Sequence, residues 1–338
     1  MGQFSPCDIE DIEKETENGE DDFLKFVSSN IKSWKKINLN AFISKLSQGK
    51  QNNYEIFCII DGNKGNEVTK FVQNHFLDVL LNQIKINKEI KSAIKESFFK
   101  INKLMQSNEG MKEIVDLRLK NNEEEIKNFK NLMNQNENPI ENKKEEINIF
   151  EEEDKEILDY TGCTLCLILI DTKLNKLYFG NIGNTELFIY KKKDSNDNFI
   201  NIKSFHRPED KTEKLRIKNN SLIINNKLYG LLTSARTFGN FAYNEKNKII
   251  IDEPDIQEYD LSKEDKYIII ANEAIVNIYN NENNILNILK KKEEEDENFS
   301  LDEFLSEILD NKIPNYFFIN DTKIGFDTMT CTLIKLKN

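Results

Sequence analysis

The sequence predicts an α+β domain built of layered sheets and helices. Three observations carry this: several short apolar runs of strand length, amphipathic stretches at helical spacing that fall in pairs, and no repeat of either at a fixed period. A parallel βαβ series would alternate strand and helix along the whole chain, and a solenoid would repeat; neither pattern is present.

Residues 1–21 are acidic and are expected to be a mobile terminus, with a single domain over 22–338. Asp22 to Phe42 is a mixed stretch that contains Trp34, the single tryptophan. Tyr54 to Ile60 (YEIFCII) reads as a buried strand ending in the turn pair Asp61-Gly62. Glu67 to Ile86 places Val68, Phe71, Val72, Phe76, Val79 and Leu80 on one helical face, and a second helix is expected from Lys88 to Met105, extending toward Lys120. Residues at about 121–156 are dense in charge, poor in apolar side chains and interrupted by Pro139. They are expected to form a flexible, partly helical insertion, because so little apolar surface cannot offset the entropy of ordering. Strands return at Cys163–Ile170, in KLYFGNIG and ELFIYKK, at Ser221–Ile224, at Ile249–Ile251 and at Tyr267–Ala271. An amphipathic helix at Leu301–Leu309 and a strand at Met329–Leu336 close the chain.

Bulk chemistry narrows the function. The 338 residues carry a net charge of −12, with no basic stripe interleaved with aromatics, so a nucleic-acid partner is not expected. The 5 cysteines are odd in number and scattered, which points to reduced thiols and a cytoplasmic protein. Cys163 and Cys166 form a CxxC, but on a strand residues i and i+3 face opposite sides, so buried thiols are expected there rather than a metal pair. No apolar run is long enough to span a bilayer, and the acidic start does not resemble a signal peptide. Gly2 and Cys7 offer acylation points for a lipid-anchored membrane association, although Pro6 stands where myristoylation prefers Ser or Thr.

Three carboxylates stand at the ends of apolar strands: Asp61 at its glycine turn, Glu273 after YIIIA, and Asp327 before the terminal strand. Acids converging at one sheet edge suit a hard divalent ion; at strand ends they are more often simply solvated.

The flanking sequence gives the group a context: FCIIDGNKG, TGCTLCLILI and FDTMTCTLI, with the segments between them, resemble those of the metal-dependent type 2C protein phosphatases. FCIIDGNKG resembles the family strand ending in Asp-Gly-His-Gly-Gly, and TGCTLCLILI its Ser-Gly-Ser-Thr strand. LYFGNIGNTELFIY, HRPEDKTEKLRI, LLTSARTFGNFAY, EPDIQEYDL, YIIIANEAIVNIY and FDTMTCTLI follow in the family order, over roughly residues 30 to 337. The resemblance implies a two-sheet β-sandwich flanked by helix pairs, in α-β-β-α layers. At one end, two metal ions would activate water against a phosphoserine or phosphothreonine.

The departures from the pattern bear on activity. Asp61, the Gly62 carbonyl, Glu273 and Asp327 match one metal position. The second metal's own acid falls at Leu39, in a stretch Lys36 to Asn40 that holds no carboxylate; Lys35 replaces the phosphate-binding Arg, and Asn63 the motif His. Further acids become amides at Asn184, Asn240 and Asn277. Two dications about 4 Å apart repel by about 16 kcal/mol at an effective dielectric of about 20, so a set of acids thinned this far does not favour a pair. The expectation is a pseudophosphatase, a binding or regulatory module for a protein partner, holding one Mg²⁺ or Mn²⁺ ion or none. The alternative is a weak Mn/Mg-dependent Ser/Thr phosphatase. Arg236 and His206 match family positions, and each reads equally well as a simple surface or hairpin contact.

Overall fold

The computed structural model describes residues 14–32, 38–47, 53–134, 159–192, 198–218, 220–243, 249–278, 285–310 and 328–337. Its strands are β1 (Lys14–Glu20), β2 (Leu24–Ile31), β3 (Ala41–Lys45), β4 (Tyr54–Asn63), β5 (Gly162–Asp171), β6 (Lys176–Ile182), β7 (Glu186–Lys191), β8 (Asn198–Ile202), β9 (Ile223–Ile224), β10 (Lys227–Leu228), β11 (Phe238–Gly239), β12 (Asp255–Asp260), β13 (Asp265–Ala271) and β14 (Met329–Leu336). The helices are α1 (Glu67–Ile86), α2 (Ile90–Met105), α3 (Asn108–Asn134), α4 (Lys211–Ile217), α5 (Glu273–Ile278), α6 (Ile285–Glu295) and α7 (Leu301–Asp310).

Two antiparallel sheets carry the fold, one ordered β1-β2-β14-β13-β7-β8 and the other β12-β6-β5-β4-β3 with β11 added beside β5. Strand alternation sorts side chains into three cores. In β4, Phe57 and Ile59 meet Phe26, Ile268 and Ile334 of the opposite sheet, while Ile56, Cys58 and Ile60 pack beneath α1 and α2. The other sheet buries Val27, Ile269 and Leu333 against α6 and α7 through Leu289, Phe304 and Ile308. The result is the expected α-β-β-α layering. Cys163 lies in the core on the helix side of its sheet and Cys166 in the core between the sheets, so the CxxC cannot close on one metal.

Sequence and structure differ in four places. Lys14–Glu20, read as part of a mobile terminus, is an edge strand paired along its length with β2. Its side chains are almost all exposed, so backbone pairing holds it and leaves no apolar alternation to read. The mixed stretch from Asp22 resolves into β2 and the start of β3. The helix expected to continue from Lys88 toward Lys120 breaks at Gln106–Ser107. Ser107 caps α3 by accepting the Gly110 N–H at 3.1 Å, and a Cβ on Gly110 would lie 2.1 Å from the Leu104 carbonyl oxygen. Ser221–Ile224 and Ile249–Ile251 supply only the two-residue β9 and a single bridge from Ile251 to Arg236. A small apolar cluster, with Ile217, Leu228, Leu232 and Ile250, holds that region in place of a ladder. The insertion is helical to Asn134 as the end of α3; residues 135–158, like residues 1–13, lie outside the described residues.

At the sandwich end near the start of β4, Glu55 is fully buried and receives the Ser47 N–H at 2.7 Å. Burial pushes its carboxyl up to about 7, and the nearby Asp21 charge pushes the same way. A carboxyl whose folded-state value is raised binds more protons folded than unfolded in the window between the two values. Stability should therefore fall as pH rises from about 4.5 through 7, by an amount on the order of 2–3 kcal/mol. Urea midpoints at pH 5 and pH 8 should show that loss in the wild type, and Glu55→Gln should abolish it.

Candidate active site at the polar end of the sandwich

The space between the sheets is apolar along most of its length and turns polar at one end. The same alternation that points Phe57 and Ile59 inward continues to Asp61, and that of Ile268 and Ile270 continues to Asn272. Ser28, Asn30, Asn40, Thr330 and Thr332 line the same end and are buried. Asp61 sits opposite Thr164 of β5 and is partly exposed. Gly62 follows where no side chain fits: a Cβ there would lie 2.3 Å from the Leu39 carbonyl oxygen and 2.4 Å from Thr69 Oγ1.

Amides and hydroxyls stitch this end together. Asn272 Nδ2 donates to the Thr328 carbonyl at 2.7 Å and to Asp61 Oδ2 at 3.4 Å, while its Oδ1 accepts the Thr330 N–H at 3.2 Å. Asn40 Nδ2 donates to the Thr328 carbonyl and to Thr330 Oγ1, both at 3.1 Å, and its Oδ1 accepts the Gly62 N–H at 3.3 Å. Asn38 and Asn30 bond side chain to side chain, Asn66 Nδ2 donates to the Asn38 carbonyl at 3.0 Å, and Asn121 Nδ2 reaches Asn66 Oδ1 at 2.6 Å. The loop between β2 and β3 is thereby tied to α1 and α3.

Glu273, at the start of α5, is not turned toward an open cage. Arg207 donates to its Oε1 at 2.9 Å and Asn184 Nδ2 to its Oε2 at 3.1 Å. Other carboxylates around the mouth are engaged as well: Glu67 with Arg118 at 2.7 Å, and Glu15 with Asn30 at 3.1 Å. Asp61 also adds its charge to the burial that pushes the Cys163 thiol up.

The amides singled out in the sequence have structural work. Asn184 Oδ1 accepts the His206 N–H at 3.4 Å, and its Nδ2 also donates to the Thr233 carbonyl at 3.1 Å. Asn240 is fully buried with φ +54°, a conformation that Asn tolerates better than most residues, and its N–H donates to the Thr161 carbonyl at 2.8 Å. Asn63 Oδ1 is buried without a hydrogen-bond partner among the described residues. Leu39 contributes only its carbonyl, which accepts from Thr69 Oγ1 at 2.9 Å. Asn277 lies on α5, and Lys35 and Asp327 fall outside the described residues.

Arg236 and His206 prove to be more than surface contacts. Glu213, on α4, is fully buried between two arginines: Arg236 Nε reaches its Oε1 at 2.8 Å and Arg216 Nη2 its Oε2 at 2.6 Å. Arg236 Nη1 also meets Asp255 Oδ1 at 2.9 Å. His206 is buried, takes the Gly183 N–H on Nδ1 at 3.0 Å, and sets Nε2 3.2 Å from Asp255 Oδ2. His206 first, then Arg236, hold the Asp255 carboxyl far below the usual carboxylate range. This network fixes the segment from α4 to β12 against the sandwich, beside the mouth.

The protein phosphatase 2C family model matches residues 108–315, more than half of the chain. The chain belongs to the protein phosphatase 2C family. Among curated relatives in this family, a probable protein phosphatase 2C 6 of Paramecium tetraurelia is 25% identical over 335 residues, covering 96% of this chain and 97% of that one. A probable protein phosphatase 2C 21 of Arabidopsis thaliana is 26% identical over 277 residues, covering 78% of this chain and 74% of that one. The fold matches a serine-threonine phosphatase 2C from Toxoplasma gondii with TM-score 0.62 at 13% identity, over 96% of this chain and 99% of that one. A C. elegans sex determining protein matches with TM-score 0.63 at 14% identity, over 93% of this chain and 64% of that one.

Phosphatases 2C generally depend on Mg²⁺ or Mn²⁺. Among the described residues, no three His, Cys, Asp or Glu side chains gather as a metal cage. With Glu273 paired to Arg207 and Asp61 accepting from Asn272, the described residues do not supply the carboxylates that a pair of dications needs.

Proposed function

We propose that this member of the phosphatase 2C family is catalytically silent and serves as a regulatory or binding module for a protein partner. One observation carries the reading: hydrogen-bonded amides fill the polar end of the sandwich, where the family's chemistry needs carboxylates. Asn40 and Asn272 bind Gly62, Asp61 and the start of β14 to one another, and Glu273 is spent on Arg207. A side chain that donates two hydrogen bonds and accepts a third is doing the work of packing. Asn63, in place of a histidine, is no proton donor at useful pH.

Mn²⁺ titration by calorimetry tests the electrostatic part. At most one ion should bind, through Asp61, the Gly62 carbonyl and Asp327, and Asp61→Asn should remove it. Two ions bound per chain would contradict the reading. Retention of Asp61-Gly62 at the end of β4 favours the second reading, a weak Mn/Mg-dependent Ser/Thr phosphatase, and turnover separates the two. We place the protein in the cytoplasm. Among the described residues no helix is long and apolar enough to cross a membrane. Gly2 and Cys7 lie outside the described residues, and Gly2→Ala would shift the protein from membrane to soluble fractions if they anchor it.

A further inference from the structure

A contiguous aromatic and apolar surface begins at the mouth and runs over the β9–β10 hairpin. Lys64, one residue beyond Asn63, holds its ammonium 5.3 Å from the Tyr160 ring centre and 5.9 Å from that of Tyr243. Tyr160 meets Tyr243 edge-on at 5.9 Å, and Tyr243 stacks on Tyr229 at 4.9 Å. Beside Tyr229 the chain leaves Ile224 52% and Leu231 54% exposed; with Tyr160 they make three of the seven exposed large hydrophobic side chains among the described residues. A Cβ built on Gly230, between Tyr229 and Leu231, would stand 3.8 Å from the Ile224 side chain, so the chain after the hairpin returns beside Ile224.

The charge around the patch runs against that of the chain. The whole protein carries −12, yet Lys211, Lys214, Lys218 and Lys227 are exposed here. Neither they nor Lys64 have a carboxylate at ion-pair distance among the described residues. The arginines nearby are committed, Arg207 to Glu273 and Arg216 and Arg236 to Glu213. Tyrosine rings and exposed aliphatic side chains beside lysines suit a segment of opposite charge that carries an apolar anchor.

We infer that this surface docks an acidic peptide segment of a partner protein, its aromatic or aliphatic anchor seated on the Tyr160–Tyr243–Tyr229 platform and its carboxylates facing the lysines. The surface lies beside the mouth and does not depend on whether the mouth turns over phosphate, so its test stands apart from turnover. The full chain is passed over an array of acidic peptides bearing a Phe or Leu anchor, the same peptides with the anchor changed to Ser, and charge-reversed peptides. Selected binders are then measured by fluorescence anisotropy. Acidic, anchored peptides should bind preferentially, weaken as salt rises, and lose about tenfold in affinity in the surface variant Lys64→Glu/Lys227→Glu; Leu231→Ser should also weaken them severalfold. Circular dichroism melting of each variant establishes that it is folded. The inference is overturned if no acidic anchored peptide binds better than its charge-reversed counterpart. It is overturned equally if folded Lys64→Glu/Lys227→Glu binds as the wild type does, or if sedimentation shows the surface buried in a dimer that the double variant dissociates.

Discussion

Glu213→Ala should destabilise the protein by about 3–5 kcal/mol, the cost of leaving buried charge without its partner. Glu213 is fully buried and takes both Arg216 and Arg236 on its two oxygens. Its removal takes the buried carboxylate from both guanidiniums; Arg236, 13% exposed, is left with Asp255, and the site gains a net positive charge. Glu213→Gln keeps the shape and loses the charge, so it should fall between wild type and Ala. Urea unfolding checks both. The damage should also show locally, as faster hydrogen exchange from α4 to β12, because this small apolar cluster has few other ties to the sandwich.

Asn272→Ala should cost about 2–4 kcal/mol, more than a typical exposed amide by far. It takes the side-chain acceptor from the buried Thr330 N–H, leaves the Thr328 carbonyl with the Asn40 amide alone and takes a donor from Asp61. Asn272→Asp is the informative companion. It places a second acid beside Asp61 but turns an amide that donates into a carboxylate that repels, so it too should lower stability at neutral pH. Added Mn²⁺ should recover part of that loss, seen as a rise in melting temperature.

The layered fold was legible because its strands announce themselves: YEIFCII, LCLILI and YIIIA are apolar runs bounded by turns, and α1 reads cleanly from Glu67 to Ile86. β1 was not legible, since backbone pairing and polar side-chain contacts hold KETENGE at the sheet edge with no apolar alternation. At Ser221–Ile224 the apolar run was legible but its length was not: only β9 pairs there, with β10, and ion pairs and a small apolar cluster hold the region. At the site, Asp61 and Glu273 could be named from their places at strand ends, yet Glu273's partnership with Arg207 crosses 66 positions of sequence and leaves no local trace. Asn30, Asn40, Asn272 and Thr330 were missed, although a signal existed. Asn30, Asn272 and Thr330 continue the inward-facing alternation of strands whose inner positions are apolar farther along, and polar side chains in that register mark the polar end of the sandwich.

The most direct measurement is phosphatase turnover of the purified chain with millimolar Mn²⁺. The substrates are p-nitrophenyl phosphate and a phosphothreonine peptide, and the reference is the Asp61→Asn/Asp327→Asn double variant. Equal, background-level rates for both proteins are expected of a silent module. Turnover in the wild type that the double variant loses would contradict it and make this chain a divergent phosphatase.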